Sequence, residues 1–159
     1  MQRRKELLII GLLASAALVP MAASASLIYG GFTGGQSSAS GLSSATNIGL
    51  MAGVSIPFVP FLYVEGAYQR ISNWNGHVAG LAVVLRLPLA PSVAIIGKIG
   101  GAQVSTAVNG VSASAQGPLY GGGISVRISG PFSIRAEYQV VRALDTDFRT
   151  TQGDLIYHF

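Results

Sequence analysis

"FSIRAEYQV", residues 132–140, changes between apolar and polar at every step. Phe132, Ile134, Ala136, Tyr138 and Val140 share one face, and Ser133, Arg135, Glu137 and Gln139 share the other. A period of two marks an extended strand with two unlike faces. The periodicity does not say which face is buried, and that choice decides the fold. In water the apolar face turns inward and the charges outward. In lipid the two faces exchange places.

The same alternation runs along the chain beyond residue 26. Leu62, Val64 and Tyr68 oppose Tyr63, Glu65 and Gln69; Val83, Leu85 and Leu87 oppose Arg86; Val93, Ile95 and Ile99 oppose Lys98. Ile48, Leu50, Ala52, Val54 and Ile56 oppose Asn47, Gly49, Gly53 and Ser55. Seven stretches of turn chemistry interrupt the pattern. Those at 57–61, 88–92 and 129–132 contain Pro, whereas those at 34–45, 72–76, 108–115 and 144–151 are polar and free of Pro. The two kinds alternate strictly, which leaves eight strands at roughly 27–34, 46–56, 61–71, 77–87, 92–106, 116–129, 132–143 and 151–159. Asn75-Gly76 and Asn109-Gly110 are two-residue hairpin signals, since both residue types tolerate positive φ. An even strand count, with short turns on one side and longer loops on the other, predicts an up-and-down barrel.

Composition settles the direction of the faces. Half of the 159 residues are apolar and only 10% are charged. A soluble surface carries about 25–35% charged residues. The polar face is rich in Gly and Ser, which suits a narrow eight-stranded interior that side chains must fill. The first residues point out of the cytoplasm: Arg3, Arg4 and Lys5 precede the apolar run Leu7 to Val19, Pro20 and the small-residue site Ala23-Ser24-Ala25. Such a run is short for a spanning helix, which needs about 20 residues, so 1–25 reads as a cleaved signal peptide and 26–159 as the mature domain. In hydrocarbon only a closed barrel satisfies the backbone of every strand. The expected fold is all-β: an eight-stranded antiparallel transmembrane barrel. Its lumen then holds Glu65, Glu137 and Asp154 with Arg86, Lys98, Arg127 and Arg135, which should form ion pairs that plug it.

Several functions are excluded on chemistry. With no Cys there are no disulfides, thiolate sites or Cys nucleophiles. The formal charge of +4 owes much to Gln2–Glu6, and no basic run remains beyond it, so nucleic acid is not a partner. The Gly clusters at 29–35 and 120–125 lack the Lys-Ser/Thr and helix of a phosphate loop. His77 and His158 are too far apart for a metal site, and no His stands two residues from a Ser on a mid-strand face. No cofactor, metal or enzymatic activity is expected. Phe58, Phe61, Phe132, Tyr157 and Phe159 gather near the Pro-containing turns as an interfacial girdle. Of the polar loops, 144–151, with Asp145, Asp147, Phe148 and Arg149, is the expected place for any surface ligand, whose nature the sequence leaves open.

The segments "YVEGAYQRI" (63–71), "LRLPLAPSVAIIGKIGGA" (85–102), "GGGISVRISGPFSI" (121–134) and "RAEYQ" (135–139) resemble the transmembrane domain of outer membrane protein A. The resemblance covers most of the mature chain and is strongest from Leu85 onward. It implies an integral barrel in the outer membrane of a Gram-negative bacterium, with outer-membrane lipids and the barrel insertion machinery as partners. It also implies a structural role with weak porin-like activity; the competing role is a surface interaction barrel for adhesion or immune evasion. Within the family a luminal ion-pair network is expected, and Glu65, Arg86, Arg135 and Glu137 stand at matching positions, with Lys98 at a further basic one. An acidic luminal position of the sixth strand is Ser125 here. The last strand ends in Tyr157 and Phe159, and a terminal aromatic looks like the signal read by the insertion machinery.

Overall fold

The computed structural model describes residues 27–59, 61–108, 111–143 and 146–159. The segment read as a signal peptide, the Asn109-Gly110 turn and Asp145 lie outside the described residues. Eight strands follow one another: β1 (Ile28–Ala39), β2 (Leu42–Ser55), β3 (Leu62–Ile71), β4 (Gly76–Ala90), β5 (Val93–Val108), β6 (Val111–Ser129), β7 (Phe132–Ala143) and β8 (Thr146–His158). Each pairs antiparallel with its neighbour, and β8 returns to β1 from Tyr29 opposite His158 to Ser38 opposite Arg149. The sheet is thereby a closed barrel with no free edge.

Two rims result. The turn rim carries the Pro-containing connections after β2, β4 and β6 together with Phe159; the hairpin rim carries the other four connections. At the turn rim Phe132, Tyr157 and Phe159 stack edge to face, with ring centres 5.2 and 4.9 Å apart. Phe58 and Phe61 are exposed on the turn after β2. At the hairpin rim the structure corrects the sequence expectation. β1, β2, β6 and β8 run well into the stretches read as polar loops, and β1 and β2 are joined through Ser40 and Gly41, the latter at φ 81°. Ser, Thr, Gln and Gly look like loop residues, yet a ladder above the lipid needs only a partner strand and water on both faces. β5 has 16 residues; at ~3.3 Å each and a tilt of ~40° it stands roughly 40 Å tall, against an apolar band of about 25 Å. The β5–β6 hairpin therefore projects beyond the membrane.

The burial pattern is that of a soluble protein turned inside out. Glu65 and Arg135 are 2% and 4% exposed, whereas Ile99 and Phe32 are 68% and 66% exposed. Strand β1, whose orientation the sequence left open, turns Tyr29, Thr33 and Ser37 inward and Phe32 outward. No aqueous surface accounts for that exterior, and a lipid one does. The chain is a transmembrane β-barrel.

Gly-rich composition is the complement of the luminal charges. Gly53 stands opposite both Tyr29 and Glu65, Gly49 opposite Gln69, Gly121 opposite Lys98 and Gln139, and Gly123 opposite Glu137. Each of these long inward side chains thus faces a neighbour with none, which helps eight strands enclose them. A Cβ at Gly123 would collide with the Ala136 carbonyl oxygen, whereas one at the lipid-facing Gly97 meets nothing within 4 Å. Gly123→Val should therefore reduce the yield of folded, heat-modifiable barrel in a detergent refolding assay and destabilise what folds by about 1–3 kcal/mol. Gly97→Val should refold like the parent. Equal behaviour of the two variants would contradict the luminal packing.

Candidate functional site

The candidate functional region is the lumen, and it is built in layers. At its centre Arg135 of β7 reaches three carboxylates: Glu65 Oε2 at 2.9 Å, Glu137 Oε2 at 2.8 Å and Asp154 Oδ2 at 2.7 Å. Lys98 of β5 lies 2.6 Å from Glu65 Oε1 and 2.6 Å from Glu137 Oε1. The Tyr29 hydroxyl donates to Glu65 Oε2 at 2.6 Å. Two cations thus hold three carboxylates among side chains that are almost wholly buried. The carboxylates are not held alike. Asp154 also accepts from Gln152 Nε2 at 3.1 Å, whereas both Glu137 oxygens lie within ion-pair distance of cations without a well-angled hydrogen bond. Glu137 is held by its two cations, with no neutral donor beside them.

Toward the hairpin rim the charges give way to amides. Gln152 Oε1 accepts from Gln69 Nε2 at 2.7 Å and from Gln139 Nε2 at 2.9 Å. Asn47 Nδ2 donates to Gln69 Oε1 and to Ser37 Oγ, and Ser37 shares a hydrogen bond with Thr150. The polar chain therefore draws on β1, β2, β3, β5, β7 and β8. Above it sits an apolar cap that the sequence pattern missed. Trp74, from the turn after β3, folds over the lumen with Nε1 donating to the Ser43 carbonyl at 3.0 Å. Its ring meets Phe148 edge to face at 6.2 Å. Ile71, Leu119, Val141 and Val104 complete the buried apolar layers. Phe148 points inward, so it is not an exposed anchor of a binding loop; Asp147 in the same segment pairs with Arg142 at 3.0 Å and Arg149 at 3.8 Å. The only hint in the sequence was a lone Trp in a polar turn.

Below the charge layer, at the turn rim, two expected network members stand apart. Arg86 and Arg127 form no ion pair among the described residues. Both lie on the inward parity of their strands but nearer the mouth, past the reach of Glu65, Glu137 and Asp154. Arg86 lines a cavity at that mouth with Tyr63, Ser125 and His158. Here too the register joins what the sequence kept apart: Ser133 Oγ and His158 Nε2 are 3.0 Å apart across β7 and β8. Ser133 is fully buried, and the surroundings of His158 are Arg86, Arg127 and Arg135 rather than an orienting carboxylate. His77 faces outward and stacks on Tyr68 at 5.6 Å. Among the described residues no group of three His, Cys, Asp or Glu is placed to hold a metal ion.

No protein-family model and no curated protein sequence matches the chain. Solved structures do, over nearly their whole length. The chain has the fold of the small eight-stranded outer-membrane barrels. The N-terminal β-barrel domain of Pseudomonas aeruginosa OprF matches with a TM-score of 0.67 at 11% identity, covering 82% of this chain and 97% of that one. Neisserial surface protein A matches with a TM-score of 0.60 at 13% identity, covering 87% and 100%. Ail, the attachment invasion locus protein of Yersinia pestis, matches with a TM-score of 0.56 at 19% identity, covering 84% and 97%. The barrel architecture is shared at identities where few particular side chains are.

Removing Arg135 leaves three carboxylates to a single lysine. Arg135→Met should lower unfolding stability by about 3–5 kcal/mol in a urea titration of detergent-folded barrel. Arg149→Gln, at an exposed pair, should change it by less than about 1 kcal/mol. An unchanged midpoint for Arg135→Met would show that the luminal charges do not hold the barrel.

Proposed function

We propose that the chain is an integral outer-membrane barrel with a structural, non-catalytic role and no open diffusion pore. The observation that carries this reading is the filled lumen: apolar cap, amide layer and charge layer lie in series between the two rims. A solute would have to displace Trp74 and Phe148 and then part Lys98 and Arg135 from their carboxylates. Brief breakage of those pairs admits single ions at most, which is the weak porin-like activity this architecture allows. The fully buried Ser133 and the cationic setting of His158 support the absence of hydrolysis. On this reading the turn rim faces the periplasm, the hairpin rim faces outward, and Tyr157 and Phe159 form the segment that the insertion machinery reads.

A second reading rests on the projecting β5–β6 hairpin. Its polar flank, where Gln103 Nε2 donates to Ser114 Oγ at 2.8 Å and Ser105 bonds Ser114 at 3.2 Å, stands clear of the lipid. The Yersinia protein is named for attachment and has been solved with the heparin analogue sucrose octasulfate; a surface interaction through this hairpin would be the equivalent use of the same fold.

Planar bilayer recordings of the purified protein should show no steady open channel, only rare small openings that become more frequent in Trp74→Ala. A stable, wide conductance in the parent would overturn the structural reading. On whole cells, a membrane-impermeant thiol reagent should label Ser114→Cys and spare Ser129→Cys; the opposite pattern would invert the topology. Trimming the hairpin between Ser105 and Ser114 should leave folding intact, and unchanged adhesion to host cells would remove the surface-interaction reading.

A further inference from the structure

Arg86 and Arg127 are guanidinium groups at the turn-rim mouth of the lumen that form no ion pair among the described residues. Every described carboxylate is engaged elsewhere: Glu65, Glu137 and Asp154 by Lys98 and Arg135, and Asp147 by Arg142 and Arg149. The carboxylate of Phe159 forms no ion pair with either arginine. The two nevertheless stand at one mouth: Arg86 lines it with His158, and Arg127 follows the lining residue Ser125 by two positions on the same face of β6. The backbone fixes this convergence. Arg127 stands opposite Ser133 across β6 and β7, and Ser133 holds the His158 ring across β7 and β8. Arg86 comes from β4, on the other side of an open-ended cavity of about 20 Å³ that Tyr63, Ser125, Arg135 and His158 also line. That is room for about one oxygen atom of a ligand whose other atoms stay at the open rim.

Arg86 is half-buried and Arg127 exposed, and like charges at one mouth repel one another and favour a counter-anion. The charge layer above carries one carboxylate more than it has cations. Arg86 offsets that excess, and Arg127 has only the Phe159 carboxylate, with which it forms no ion pair, as a counter-charge at this rim. Guanidinium groups with hydroxyl donors beside them are the usual partners of planar or tetrahedral oxyanions, which they hold by paired, charge-assisted hydrogen bonds. We propose that the turn-rim mouth is a binding site for a small oxyanion group, a phosphate or a carboxylate, held by Arg86 and Arg127 with Tyr63, Ser125 and His158 around it. The site requires only the barrel geometry and stands whether or not the lumen conducts. A ligand would enter from the turn side, place one oxygen in the cavity and leave the rest of the molecule at the rim.

The full chain, folded in a phosphate-free maltoside micelle, provides the test. Inorganic phosphate and acetate are titrated separately against chloride at constant ionic strength, with the His158 ring, the Tyr63 ring and the arginine side-chain N–H signals followed by NMR. At least one oxyanion should give saturable shifts confined to the turn-rim mouth. Saturation by phosphate alone identifies a phosphate group as the ligand, and saturation by both identifies a general oxyanion site. Arg86→Gln and Arg127→Gln, each verified as folded by an intact barrel amide spectrum, should weaken binding about tenfold or more. Arg149→Gln, at the other rim, should leave it unchanged. Shifts that do not saturate, or that are the same in Arg86→Gln as in the parent, would overturn the site.

Discussion

A peptide group in hydrocarbon has no water to fall back on, and the rest of this structure follows from that constraint. Every strand must be paired on both edges, so β8 must return to β1 and the sheet must close. Closure with eight strands gives a lumen too narrow to stay open and too wide to stay empty. It is filled by pairing long side chains with glycine across the ladder, as Glu65 with Gly53 and Glu137 with Gly123. The lipid takes the apolar face of every strand, so the polar residues have only the lumen in which to lie. There they must satisfy one another, and Arg135 does so for three carboxylates at once. Burying those charges is unfavourable in itself; the barrel tolerates it because each partner is fixed by the backbone register.

Much of this is legible in the sequence. The alternation in 132–140 assigns faces residue by residue, and the structure keeps the assignment from Phe132 to Gln139. The alternation of Pro-containing and polar connections gives eight strands and two unlike rims, and Asn75 takes the positive φ its hairpin demands. What could not be read belongs to properties that periodicity does not encode. Strand ends at the hairpin rim were missed because Ser, Thr and Gln look alike in a loop and in a ladder above the lipid. Trp74 and Phe148 were missed as a cap because a turn has no face until it folds back. Cross-strand register brings Ser133 to His158, and depth in the lumen, not facing, separates Arg86 and Arg127 from Arg135.

The two rims divide the functional potential. The lumen between them is occupied by its own side chains, which leaves transport little room. The hairpin rim offers extended, polar strands to whatever lies outside. The turn rim gathers exposed aromatic rings on its outer surface and, at its mouth, two arginines without an ion pair among the described residues. The sequence sets both rims by the same device, a change in what the alternating positions carry once the strand leaves the lipid.

The central claim is that the apolar face of each strand touches lipid and the charged face does not. Isoleucine methyl groups report it directly. Ile48, Ile95, Ile99, Ile124, Ile128 and Ile134 face outward, while Ile71, Ile96 and Ile156 are buried in the lumen. In a lipid nanodisc, methyl-labelled protein should show nuclear Overhauser contacts from acyl-chain protons to the first six and none to the other three. Acyl-chain contacts to Ile71, Ile96 and Ile156, with the outward six exposed to water, would mean that the barrel is turned the other way and that this account of it is wrong.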